Sequence, residues 1–217
     1  MREAEKQQEQ KPERQKKSFF YTLARFLAAI FFHTLSPVRY HHKERLPEKP
    51  PYILISNHRS FMDPVIMAYI IKKYDITFLG KKELVKNKIA SFVLRNMHII
   101  PVDRHGTDMM AMRHCISAIR NGEILGIFPE GTRHHTGLMD EIEGGVAMIA
   151  LRSGAPLVPM YITPKYHMFH RTHCYVGDPI PTDDLRAQGV NKDTCQALLQ
   201  RITATYADMA KAAESEK

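Results

Sequence analysis

Cysteine is scarce in this chain: Cys115, Cys174 and Cys195 are the three among 217 residues, and their spacing carries no metal-site pattern. They point to a reducing compartment and to roles in packing alone. The histidine pairs His41-His42 and His134-His135 fall in polar connectors without ligand spacing, so no metal site is expected. A bilayer-spanning stretch is also missing. The apolar run Phe19 to Phe32 is broken by Arg25, and as a helix it would reach about 21 Å against a hydrocarbon core of roughly 30 Å. A charge at its centre argues further against a span. No small-residue cleavage site follows the run and charged residues interrupt the region, so it does not resemble a cleavable secretory signal. Internal repeats are absent.

What is present reads as one globular domain, long enough to bury its own core. A formal net charge of +8 predicts an anionic surface or polyanion as partner. Residues 1–17 are polar and mixed in charge, and Lys16-Lys17 abut the apolar run. Within that run Ser18, Thr22, Arg25, Ala29, His33 and Ser36 recur at steps of four and three, a narrow polar stripe on a greasy helix. The pattern predicts a basic tail and in-plane membrane anchor over 1–36, its lysines near anionic head groups. The other reading of the same pattern is a helix packed onto the domain. Residues 38–51 read as a polar, proline-marked connector.

From there strands and helices alternate. Strands are expected at Tyr52–Ile55, Ile76–Leu79, Ile99–Val102, Ile124–Phe128 and Leu157–Ile162. Helices are expected at Val65–Ile71, at Lys81–Asn96 as a basic helix, at Met109–Asn121 with Thr107 or Asp108 as cap, and at Val146–Leu151 closed by Gly154. Asp193–Ala213 reads as a surface helix. This alternation predicts an α/β fold, with a mixed, largely parallel central sheet flanked by helices.

The chain is organised around Ser56-Asn57-His58-Arg59-Ser60-Phe61-Met62-Asp63-Pro64, where a buried strand gives way to an apolar helix. On a straight helix, residues five apart point away from each other. His58 and Asp63 meet only if His58 lies on the turn and Asp63 in the first helical turn, which Pro64 permits. Asp63 would then accept from one imidazole nitrogen and leave the other free as a base. The alternative is a capping box in which Asp63 faces backbone amides. The bare pattern is weak, because His98/Asp103, His135/Asp140 and His173/Asp178 repeat it. Only His58/Asp63 has the strand–turn–helix setting, and the His98 pair would face opposite sides of an extended run.

Two further strand ends carry polar groups, Asp103-Arg104 and Glu130-Gly131-Thr132-Arg133. Ligands of α/β sheets collect beyond the carboxyl ends of the strands. Two guanidinium forks beside a glycine turn suit a phosphate, and Glu130 suits a hydroxyl of the same ligand. The competing roles are a salt bridge for Arg104 and helix capping for Glu130.

Asn57 to Asp63, Pro101-Val102-Asp103-Arg104, Phe128 to Arg133 and Ala155-Pro156-Leu157-Val158-Pro159 resemble, in order, the four motif blocks of glycerolipid acyltransferases. The likeness is greatest to the bacterial lysophosphatidic acid acyltransferase (PlsC-like) family and covers roughly residues 45–182. Gly80-Lys81-Lys82-Glu83-Leu84 and Gly145 to Leu151 also look like it. One departure is Glu143-Gly144, at a place where many members carry a lysine. The resemblance implies transfer of an acyl chain from a thioester of coenzyme A or acyl carrier protein to a hydroxyl of lysophosphatidic acid. It implies His58 and Asp63 as catalytic residues, and Arg104, Glu130, Gly131, Thr132 and Arg133 as acceptor-binding ones. An oxyanion donor would be a backbone amide near 57–61 or 158–160. A thioester is already activated, so neither a cofactor nor an enzyme nucleophile is required. Partners are then an anionic membrane lipid and the two substrates, with no nucleic acid, at the cytoplasmic face of a membrane. Rival readings are a hydrolase using Ser60, which lacks the Gly-x-Ser-x-Gly elbow, a non-catalytic lipid-binding protein, and an acyltransferase with another lysolipid acceptor.

Overall fold

The computed structural model of the chain describes residues 19–34, 36–82, 98–103, 108–132, 139, 141–163 and 171–216. Ser18, Arg104, Arg133, His134-His135 and most of the expected basic helix after Lys81 lie outside the described residues. The elements in order are α1 (Phe19–Thr34), β1 (Val38–His41), β2 (Tyr52–Ser56), α2 (Asp63–Ile70), β3 (Ile76–Lys81), β4 (Ile99–Val102), α3 (Met109–Arg120) and β5 (Ile124–Ile127). They continue with α4 (Gly145–Ser153), β6 (Leu157–Ile162), β7 (Thr172–Val176), α5 (Asp183–Ala187) and α6 (Lys192–Ser215).

The strands form one seven-stranded sheet in the order β1-β7-β6-β2-β5-β3-β4. Every pairing is parallel except β6 with β7. The alternation of buried strands and helices therefore builds the expected mixed, largely parallel layer. Two strands were not legible. Val38–His41 read as connector and Thr172–Val176 had no assignment, because β1 is a half-buried edge strand of four residues whose partner lies more than 130 positions away. Lys81, expected at a helix start, is the last residue of β3, since the ladder to Pro101-Val102 carries the strand that far.

Side-chain alternation along the strands divides the core into two layers. On one face Ile53, Ile55, Leu125 and Ile127 pack against α3, α4 and α6. On the other, Leu54, Ile124, Val158 and Met160 pack against α1 and α2. Each fully buried Ile or Leu here stabilises the fold by roughly 1.5–3 kcal/mol. Gly126 in β5 has a structural reason: the Phe78 ring crosses it where a Cβ would stand. Phe78 in turn lies nearly parallel to Phe128, 6.3 Å between ring centres.

Helix α1 packs onto the domain, as the second reading of its pattern expects, and keeps an exposed apolar side. Tyr21, Ala28 and Phe32 are buried against the domain, and the Tyr21 hydroxyl accepts from the Ile76 amide at 3.0 Å. The opposite side exposes Phe19, Leu23, Phe26 (62% exposed), Leu27 and Ile30. No described helix is long and apolar enough to cross a membrane.

The α6 helix is more than a surface element. It buries Leu198, Ile202, Tyr206, Ala210 and Ala213, and the Tyr206 hydroxyl reaches the carbonyls of Ile55 at 2.8 Å and Met160 at 3.2 Å. These are the carboxyl ends of β2 and β6, from which the functional loops leave. Tyr206→Phe would strip both carbonyls of this partner, and a buried unsatisfied group costs about 1–3 kcal/mol. A fall in the urea midpoint at unchanged slope is the expected readout.

Candidate active site

The loop leaving β2 is fixed from four directions before any ligand arrives. Asn57, 1% exposed, returns its side-chain amide to the end of β6: Nδ2 donates to the Ile162 carbonyl at 2.9 Å and Oδ1 accepts from the Ile162 amide at 2.8 Å. Glu130, buried after β5, accepts the His58 backbone amide on Oε2 at 2.6 Å. Asp63 supplies the third constraint. Its Oδ2 accepts from the Arg59 amide at 2.5 Å, the Ser60 amide at 2.7 Å and His58 Nδ1 at 3.0 Å. The fourth is the Phe128 ring, against which the His58 ring stacks at 4.2 Å.

Asp63 opens α2 with proline beside it, so the geometry required for His58 and Asp63 to meet is the one adopted. The capping alternative holds as well, because one carboxylate oxygen serves the turn amides and the imidazole together. Charge-assisted hydrogen bonds of this kind are short and about twice as strong as neutral ones. With Nδ1 donating to Asp63, the hydrogen-bond network assigns the imidazole proton to Nδ1 and the lone pair to Nε2. Such a ring accepts a proton from a hydroxyl. Two of the other His–Asp spacings, those among the described residues, do different things. His98, at positive φ, faces Asp75 at 3.7 Å, while His173 lies 3.0 Å from His41 and Asp178 pairs with Arg45.

Glu130 is thus a clamp on the peptide of His58, a role that neither substrate contact nor helix capping anticipated. Its turn continues through Gly131, at φ +66°, where an added side chain would be strained and would press on Glu143 Cγ at 3.0 Å. The Glu143 amide donates to Pro129 at 2.8 Å, so the departure from the lysine pattern packs directly on this turn. The amides of His58, Arg59 and Ser60 are already donated to Glu130 and Asp63, which removes them as oxyanion donors.

His58 opens into a cavity of about 510 Å³ between α1, α2 and the ends of β3 and β5. Apolar groups such as Ala28, Val65, Phe78 and Phe128 form most of the lining. Arg25 from α1, Lys81 from β3 and Thr132 join His58 there, beside Tyr21 and Tyr69. Thr132 was expected at the site; Lys81 and Arg25 were not. Lys81 was assigned to a helix, so the strand-end argument passed over it. Arg25 was read as a charge against membrane insertion and as part of the polar stripe of the anchor helix. Arg104 and Arg133, the expected phosphate forks, lie outside the described residues.

Known proteins resemble this chain in sequence and fold. A family model described as Acyltransferase matches residues 37–163. Over 195 residues the chain is 27% identical to a 1-acyl-sn-glycerol-3-phosphate acyltransferase of Streptococcus pneumoniae, spanning 86% of this chain and 72% of that protein. It is 34% identical over 122 residues to the Bacillus subtilis protein of the same name, spanning 56% and 60% respectively. The fold superposes on the crystal structure of the 1-acyl-sn-glycerophosphate (LPA) acyltransferase PlsC from Thermotoga maritima with a TM-score of 0.65 at 20% identity, covering 88% of this chain and 79% of that one. The matched segment runs from β1 past the end of β6 and holds His58, Asp63 and the Glu130 turn, so the chain belongs to the acyltransferase family.

Proposed function

We infer that the protein is a 1-acyl-sn-glycerol-3-phosphate O-acyltransferase. It moves an acyl group from a thioester of coenzyme A or acyl carrier protein to the free hydroxyl of lysophosphatidic acid, giving phosphatidic acid for phospholipid synthesis. The observation that carries this reading is the His58–Asp63 pair opening into an apolar cavity. An alcohol is a poor nucleophile, and a positioned base is what it lacks. The hydroxyl proton passes to His58 Nε2 as the oxygen bonds to the thioester carbonyl carbon. The tetrahedral adduct then expels the thiolate, and the imidazolium, stabilised by Asp63, returns the proton to sulfur. No metal or cofactor enters these steps.

Lys81 and Arg25 at the cavity supply positive charge for an acceptor phosphate, with Arg104 and Arg133 as the further forks. The names of the relatives support lysophosphatidic acid over other lysolipids. A hydrolase that used Ser60 is disfavoured, because Ser60 Oγ accepts from the Met62 amide at 3.2 Å and thioester transfer needs no acyl-enzyme. The exposed apolar face of α1, with Phe61 of the catalytic turn 76% exposed, supports peripheral or monotopic placement at the cytoplasmic face of a membrane.

An acyl-transfer assay over a panel of lysolipids, read by product mass, tests the reaction. His58→Ala is expected to lower kcat by about 10²–10⁴-fold with the circular dichroism unchanged; an undiminished rate would remove the base. Asp63→Asn replaces an acceptor of three N–H groups with an amide, and is expected to lower kcat and the thermal midpoint together. Retention of both would detach Asp63 from the mechanism. Phe26→Glu with Ile30→Glu is expected to release the protein from anionic vesicles in a sedimentation assay. Turnover on detergent-dispersed acceptor should stay within a few-fold. Binding at the parental level would place the membrane contact elsewhere.

A further inference from the structure

A second cavity, of about 790 Å³, lies on the α3, α4 and α6 side of the sheet, opposite the His58 cavity. Leu79 and Phe128 form walls of both. The His58 ring stacks on Phe128, so the second cavity comes up to the ring on which the imidazole rests. At the upper end of the second cavity are Gly131 and Glu143, together with Asp103 and Asp108. Its lower end holds two cations, Arg152 and Lys192. Arg152 follows Gly145 by two turns of α4, about 10 Å along the helix. Between the two ends the lining is apolar, with Met112 and Ile149 among it.

Arg152 lies in the last turn of α4, where positive charge suits the helix dipole, but Lys192 is not explained by its own helix. Lys192 is in the first turn of α6, where positive charge opposes the helix dipole, and the Asn191–Thr194 capping box already closes that end. Arg152 is exposed and lines the cavity together with Cys195 of the neighbouring helix. The carboxylates cluster at the end near the reacting centre and the cations at the far end. A ligand with a neutral reactive end and an anionic far end fits this gradient in one orientation only. A hydrocarbon chain makes no use of it, and the exposed apolar face for lipid is on the other side of the sheet.

We propose that this cavity holds the phosphopantetheine arm of the acyl donor, with the thioester toward Phe128 and His58 and the phosphate end on Arg152 and Lys192. The proposal rests on the acyl-transfer reading above. It gives each substrate its own face of the sheet, lipid on the α1 side and water-soluble carrier on the α6 side. The arm is neutral between its thiol and its phosphate, which suits passage beside Glu143.

The double variant Arg152→Gln, Lys192→Gln tests it. The KM for acyl-CoA is expected to rise about tenfold or more, while the KM for the lysolipid and kcat stay within twofold. Lys211→Glu, an exposed reversal elsewhere on α6, serves as control for net charge. A donor KM that does not move, or an acceptor KM that moves instead, overturns the proposal. Running the series with acyl-CoA and with acyl carrier protein separates the sources. An equal rise assigns the cations to the phosphate of the arm itself, and a rise with acyl-CoA alone assigns them to its nucleotide phosphates. A rise confined to acyl carrier protein would mean a protein docking on exposed cations and would refute the cavity as its site.

Cys195 gives a second readout that needs no turnover. It lines the cavity and is the one partly exposed cysteine, Cys115 and Cys174 being buried. Burial raises its thiol pKa, so labelling by a maleimide is slow enough to time. A short-chain thioether analogue of acyl-CoA is expected to slow that labelling, and lysophosphatidic acid to leave it unchanged. Unaltered labelling under saturating analogue rules the site out. Protection in a protein that acylates no lysolipid would retain the donor site while removing the acceptor assignment.

Discussion

One carboxylate oxygen, Oδ2 of Asp63, gathers two backbone amides and an imidazole, and the site depends on that convergence. A buried carboxylate is tolerable only where donors replace its water. Each charge-assisted bond here contributes roughly 1.5–3 kcal/mol, so turn conformation, helix start and ring orientation stand or fall together. Glu130 does the same from the other side, holding the amide of His58 from a strand end 72 residues away. His58 is thus held between two acidic groups, Asp63 on its ring and Glu130 on its backbone amide. That is the sense in which the site is preorganised: the ring has no rotation to lose when the acceptor arrives.

The parallel sheet makes this possible. Its strands end together, so loops after β2, β3, β4 and β5 share one edge, and Asn57 and Tyr206 tie β2 to β6 at that edge. Phe128 then divides the space above the strands. On its α1 side is an apolar cavity next to a helix whose outer face is itself apolar. On its other side is a cavity graded from acid to base. An enzyme that joins a membrane lipid to a water-soluble carrier needs two such approaches. Helix α1 borders the first, with one face sealing the core through Tyr21, Ala28 and Phe32 and the other exposing apolar side chains.

Much of this was legible because it is local. The His58–Asp63 pairing follows from five residues of spacing and a proline that fixes where the helix starts. The strand-end clustering of Asp103 and Glu130 follows from hydrophobic runs ending at polar turns. Elements lacking a local signature were missed. β1 and β7 are short, half-polar and joined across the whole domain. Lys81 was hidden because a basic, apolar-spaced stretch reads as helix whether or not its first residue belongs to the preceding strand.

The sequence alone therefore determined the chemistry on offer: which residues can act as base, orienter and phosphate ligand, and the alternation that stacks them at one edge. Tertiary structure decided the rest. It made Glu130 a clamp, brought Arg25 from an apparent anchor into the cavity of His58, and gave α1 one buried and one exposed apolar face. The physical reason is that spacing and periodicity report contacts within a few residues. Roles set by contacts across the sheet exist only once the chain has closed on itself.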